Sequence, residues 1–164
     1  MISQLQLLYH QSTIGLIGIR PRYSAEAVSL LKALEQTYDI VLPEAIEEWF
    51  FIDRIVETLQ LYSDGHRPVS LEHLDHTQFV WHPTEAGDLL KQGWLIFMCE
   101  SQGCCLWAAH LSGDPDPPVF IADNSHVPPL SWKFVSPHFS SFIGHWVWEG
   151  SAYVNTTNEI DPYI

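Results

Sequence analysis

The side chains able to do chemistry gather in two places. His73, Asp75, His76 and His82 form the densest set of metal-ligating residues in the chain. His73 and His76, three positions apart, would share one face of a helix, with His82 reaching them from a loop. A zinc site needs three or four convergent ligands, commonly with cysteine pairs at short spacing, and no such pairs accompany these histidines. They read as solvated loop histidines, and no metal or cofactor is expected. Cys99, Cys104 and Cys105 form the second place. Across a four-residue turn at 100–103, Cys99 would face Cys104 with Cα atoms about 4.5–5.5 Å apart. A nucleophilic thiolate needs a cationic, partly open setting, and the neighbouring sequence supplies no Lys or Arg. His110, the candidate base, stands one residue from the end of its strand and is expected to face solvent. Leu95, Phe97, Leu106 and Ala108 would share the cysteines' face, so the thiols read as small buried hydrophobes.

Other constellations are weaker. Asp114 with Asp116, and Glu47 with Glu48, are carboxylate pairs of a kind that an acidic chain produces freely, and turn acids usually cap backbone amides or sit in water. The glycines form neither a dinucleotide-binding fingerprint nor a P-loop, and no serine sits in a nucleophile elbow. Trp81, Trp107, Trp132 and Trp148 lie outside the helical stripes and are candidates for contact anchors or for the core. The residues expected to meet a partner are Glu100, Trp107, Asp114, Asp116 and Asp123, because turns of a rigid sheet would present the four acids outward.

The charge balance sets the partner class. The chain has 164 residues with 20 Asp+Glu against 7 Lys+Arg, a formal net charge of −13. Such a field repels phosphate backbones and anionic membranes, and it attracts basic proteins. A protein partner is expected, with neither nucleic acid nor membrane. The N-terminal residues lack a basic segment followed by an apolar stretch and a cleavage site, and no apolar run approaches transmembrane length. Three cysteines in a chain with ample apolar residues do not resemble a secreted disulfide framework. Asn155-Thr156-Thr157 matches a glycosylation sequon and reads as chance. The expected location is the reducing cytoplasm.

These residues need a scaffold, and periodicity predicts one domain over 1–164. Residues 1–22 follow no clean period. Ser24 is a helix N-cap, followed by Ala27, Leu31, Leu34 and Tyr38 on one stripe. Leu42-Pro43-Glu44 starts a second helix, predicted to run unbroken to Asp64-Gly65, with Ala45, Trp49, Ile52, Val56 and Leu59 inward and Glu47, Glu48, Asp53, Arg54 and Glu57 outside. Residues 66–93 read as loops with one short helix. Strands are predicted at 94–99, 104–111 and 119–122, joined by turns dense in breakers. Ser136 and Pro137 open a last helix carrying Phe139, Phe142, Ile143 and Trp146, and the tail from Gly150 reads as loose. The class is α+β, an antiparallel meander with helices packed on one face.

The order of motifs resembles the SMI1/KNR4 (SUKH) superfamily. Leu42-Pro43-Glu44-Ala45-Ile46-Glu47-Glu48-Trp49-Phe50 is similar to its "LPE…F" helix. The likeness continues through Glu100-Ser101-Gln102-Gly103, Trp107-Ala108-Ala109, Asp116-Pro117-Pro118-Val119-Phe120 and Phe139-Ser140-Ser141-Phe142, covering residues 24–148. The resemblance implies an α+β domain without an active site, many of whose bacterial members are immunity proteins that bind and neutralise toxins, often nucleases. Other members act as regulatory adaptors. Where many relatives carry an Asn-Gly turn after that helix, Tyr62-Ser63-Asp64-Gly65 stands here. Three readings follow: an immunity protein against a basic toxin, a regulatory adaptor of the same fold, and a cysteine or zinc hydrolase.

Overall fold

A computed structural model describes residues 6–60, 65–76, 78–79, 82–124 and 130–158. Ser24 caps α2 (Ala25–Tyr38) as its type demands, its hydroxyl accepting the amide of Ala27 at 3.2 Å. Ala27, Leu31 and Leu34 are buried along one face of that helix. A short helix that no period announced, α1 (Gln11–Ile17), precedes it and ends on Gly18 in the left-handed region.

The helix predicted to run from Leu42-Pro43-Glu44 to Asp64-Gly65 is broken. α3 (Glu44–Phe51) and α4 (Ile55–Gln60) flank an extended Ile52 and a left-handed Arg54 at φ 56°. The incoming chain causes the break. Ser24 donates its amide to the Phe51 carbonyl and Asp53 donates to the Arg22 carbonyl, so Tyr23 and Ile52 form a β-bridge where a helical turn would have continued. Ile52, Val56 and Leu59 are buried nonetheless, so the apolar period survives while the helix does not.

Between α4 and the meander the chain is more regular than its sequence suggests. It forms β1 (His66–Pro68), a 3-10 turn (Leu71–His73), a small hairpin of β2 (Gln78–Phe79) with β3 (His82–Glu85), and α5 (Ala86–Lys91). The meander follows as β4 (Trp94–Glu100), β5 (Cys105–His110), β6 (Val119–Asp123) and β7 (Trp132–Ser136). With β1 it makes a five-stranded antiparallel sheet in the order β1-β4-β5-β6-β7. Both edge strands escape the sequence reading: β1 is three residues with a proline, and β7 is exposed along most of its length. Ser136 therefore closes a strand, and the last helix, α6, begins at Phe139 and runs to Asn158, past the Gly150 at which the tail was expected to loosen.

α6 lies over the face that carries Met98 and Trp107. Trp146 meets His66, whose ring stands 4.9 Å from that of Trp107. A bulge in β4 between Ile96 and Met98 turns two consecutive residues toward this interior, where Phe97 and Met98 join Trp49, Ile143 and Trp146. Phe97 makes edge-on contacts with Phe139 and Phe142 at 5.0 and 5.5 Å. On the opposite face Trp94 stacks on Trp132 at 4.5 Å, with Phe120 edge-on to Trp94 and to Phe134. The small Ala108 and Ala122 between them leave room for those rings to meet. Among the described residues, no helix is long and apolar enough to cross a membrane.

Candidate functional site

Of the histidine cluster, the side chains of His73 and His76 are described, and each ring has a hydrogen-bond partner on its Nδ1. The two rings stand 5.1 Å apart, the Nδ1 of His73 bonded to Ser70 Oγ and that of His76 to Asp75. The His82 side chain and Trp81 lie outside the described residues. Among the described residues, no group of three or more His, Cys, Asp or Glu could hold a metal ion.

The hairpin turn sits one residue later than predicted, which moves the strand partner of Cys99 by two. Cys99 pairs with Leu106, and Cys105 pairs with Asp123 of β6, while Cys104 stays in the turn. Glu100 is the reason. Its carboxylate accepts the amides of Gln102 and Cys104 at 2.9 and 3.4 Å, and Gly103 takes a left-handed φ of 77°, so the turn is 101–104. The β4 bulge also puts Leu95 on the face away from Leu106 and Ala108. Burial pushes the Cys99 thiol up, and burial followed by the Asp123 charge pushes up that of Cys105, the opposite of what activates a nucleophile. His110 packs against Trp94 at 4.5 Å instead of facing open water. It closes β5 at the end away from Cys105, roughly 16 Å along the strand at about 3.3 Å per residue.

The acids nominated for partner contact divide between two ends of the sheet. Glu100 and Asp123 lie at one end, where β4 leaves and β5 enters beside the end of β6. The bonds to Glu100 from Gln102, and after them from Ser101 and Cys104, hold its carboxyl below the usual range. Asp114 and Asp116 lie at the other end, in the β5–β6 turn, with Asp114 Oδ1 accepting the Asp116 amide at 3.0 Å. Asp116 is also structural. It accepts the Ser140 amide at 2.9 Å and the Ser140 hydroxyl, capping the N-terminus of α6 from a remote turn. Trp107 lies between the two ends, half-buried against the core on the α6 side. The sheet thus brings Glu100 near Asp123 and Asp114 near Asp116, and it leaves Trp107 with neither pair.

No protein family, curated protein or solved structure matches this chain.

Two features were missed in the sequence. Glu48, expected outside the helical stripe, is only 8% exposed. Its carboxylate accepts the backbone amides of Leu8, Tyr9 and His10 at 2.7, 2.9 and 2.8 Å. Alongside, Tyr9 donates its hydroxyl to Glu44, a bond that with further contributions pushes the phenol up to about 12. His10 is fully buried against Trp49 and Phe139, with Nε2 2.7 Å from the Ala45 carbonyl. That bond assigns the proton to Nε2, and Nδ1 is left without a partner among the described residues. Burial lowers the pKa of the ring. The second feature is β7, where Phe134 is 62% and Val135 41% exposed. The run Trp132-Lys133-Phe134-Val135 has strand-forming residue types and ends at Pro137, the signal that could have found it.

Proposed function

We propose that this chain is a non-enzymatic protein-binding domain of the immunity type, neutralising a basic bacterial toxin domain. The observation that carries the reading is the placement of charge. A chain of net charge −13 holds acids at both ends of a rigid antiparallel sheet, flanking an edge strand with exposed aromatic and aliphatic side chains. Rigid display keeps the entropy of ordering low on binding, and an anionic field steers a cationic partner. The raised thiols and the separation of His110 from Cys105 argue against a cysteine hydrolase. The motif order, which resembles that of the SMI1/KNR4 (SUKH) superfamily, supports a binding role and is shared by its immunity proteins and adaptors alike.

Co-expression tests it. Toxin domains encoded beside this gene are produced with and without the chain, and growth rescue and pull-down are scored. The expected result is rescue by one such domain, with a complex that weakens as salt rises. If none of the neighbouring toxin domains is bound or silenced, the immunity role is wrong, and a cellular partner recovered in their place would assign the chain to the adaptor class.

A further inference from the structure

We propose that the outer edge of β7 is a docking strand, which takes an extended segment of a basic protein partner as a sixth strand of the sheet. The inference rests on the protein-binding reading and gives it a place and a geometry. β7 ends the strand order, so one side of its backbone has no strand beside it among the described residues. An open edge is a template for strand addition, in which main-chain hydrogen bonds supply affinity and alternate side chains supply specificity. The β6–β7 bulge leaves Val135 without a partner on β6. Phe134 and Val135 are both exposed to water. Phe134 continues the ring cluster of Phe120, Trp94 and Trp132 to the rim of the sheet, so an added strand would extend an aromatic face that already exists.

Charge chooses the occupant. Asp123 lies just past the Ala122–Trp132 pair at one end of β7, and the Asp116 carbonyl meets His138 just past the Val119–Ser136 pair at the other, with Asp114 beside it. The strand between spans roughly 17 Å at about 3.4 Å per residue. A partner strand with Lys or Arg at both ends and an apolar, alternating middle fits that pattern, its cations standing clear of the exposed Lys133 within β7. A second copy of this chain does not, because antiparallel pairing of β7 with itself would set the acids of one copy against those of the other, each chain carrying −13.

The test uses isotope-labelled protein and a synthetic peptide of about nine residues, with Lys-Arg pairs flanking an alternating Val-Thr core, beside a twin whose basic residues are replaced by Glu. The basic peptide is expected to shift the amides of Trp132 to Ser136 and slow their hydrogen exchange. The acidic twin should bind at least about tenfold more weakly, and raising salt from about 50 to about 300 mM should weaken the basic peptide similarly. F134K should weaken it about fivefold or more without lowering the melting temperature, and the pair D114N/D123N should weaken it by a similar factor. Shifts confined to other elements, equal binding of the twin, or a dimer in sedimentation that F134K dissolves would overturn the proposal. The same exchange measurement on the toxin complex separates the two readings. A complex that leaves β7 amides unprotected sinks the docking strand alone, whereas a peptide on β7 with no toxin captured sinks the immunity role alone.

Discussion

Helix α3 and strand β7 are both short, both carry aromatic residues and both border carboxylates, yet one is sealed and the other open. In α3, Ala45, Ile46, Trp49 and Phe50 are buried, and Glu48 goes in with them because the segment from Leu8 to His10 brings three amide donors to its oxygens. In β7, Phe134 and Val135 remain in water and the outer edge of the backbone has no strand beside it among the described residues. What differs is the supply of neighbours. α3 has the chain's own N-terminal segment on one side and α6 on the other, with His10 between Trp49 and Phe139. β7 has β6 alone. A polar group in the first region completes the fold, and an apolar group in the second is left over for something outside it.

The comparison breaks first at Glu48. Replacing it with Ala removes a buried carboxylate that satisfies three amides and takes the acceptor from those donors, the buried amide of His10 among them. Charge-assisted hydrogen bonds and orphaned buried donors together set a loss of about 3 kcal/mol or more. Chemical denaturation measures it, and E48Q, which keeps one carbonyl acceptor, should fall between E48A and the parent. A loss below about 0.5 kcal/mol, the scale of an ordinary surface substitution, would mean that the N-terminal segment is not tied to α3 as described.

Asp116 comes next, since it belongs to both regions. It stands at the acidic end of the docking edge, yet its oxygens hold Ser140 at the start of α6. D116A should cost about 1–2 kcal/mol, as loss of an N-cap does. D114A, whose carboxylate touches only the turn that it starts, should cost less, so the pair tells a cap from a displayed charge in thermal denaturation.

How much of this was legible in the sequence follows the same divide. Ser24, Pro43 and the stripe of Leu31 and Leu34 announce α2 and the start of α3 because capping and period are local properties. The break at Ile52–Arg54 is not local: it exists because Arg22 and Ser24 compete for the backbone of residues 51–53. Glu48 looks like any surface glutamate, since its partners lie nearly forty positions away. The turn after β4 slipped by one residue, and the pairing of Cys99 by two, because the carboxylate of Glu100, not the glycine alone, sets the turn. β7 lacks the half-buried alternation that marks a strand, since neither of its faces is well covered. The acids of the candidate surface were visible as turn residues, while their division between two ends of the sheet depends on pairing that no single segment encodes.

His10 sharpens the sealed side. Burial lowers its pKa from the ordinary value, while the Ala45 carbonyl and the charges of Glu48 and Asp116 pull the other way. The unfolded chain therefore binds a proton at this site more readily than the folded one. Its contribution to stability is complete above the unfolded value near 6.5 and is lost as pH falls from there toward the lower folded value. Between about pH 7.5 and pH 5.5, the parent should lose more stability than H10Q, which cannot acquire the charge. Equal losses would move the titration elsewhere, to carboxylates or to the other histidines.

Phe134 carries the smallest expected change in stability and the sharpest contrast. F134S removes a ring that is 62% exposed, so the fold should keep its stability to within about 0.5 kcal/mol. The edge-on contact with Phe120 at 5.8 Å is the main thing lost inside the molecule. A buried aromatic such as Phe139 should instead cost about 3–5 kcal/mol when cut to Ala, because it leaves a cavity as well as exposing less apolar surface to the core. The two substitutions set the scale for reading any loss of binding. If F134S weakens partner capture while melting with the parent, the ring works outward, at the open edge. If it unfolds the chain as F139A should, β7 belongs to the sealed side, and the distinction between the two regions collapses with it.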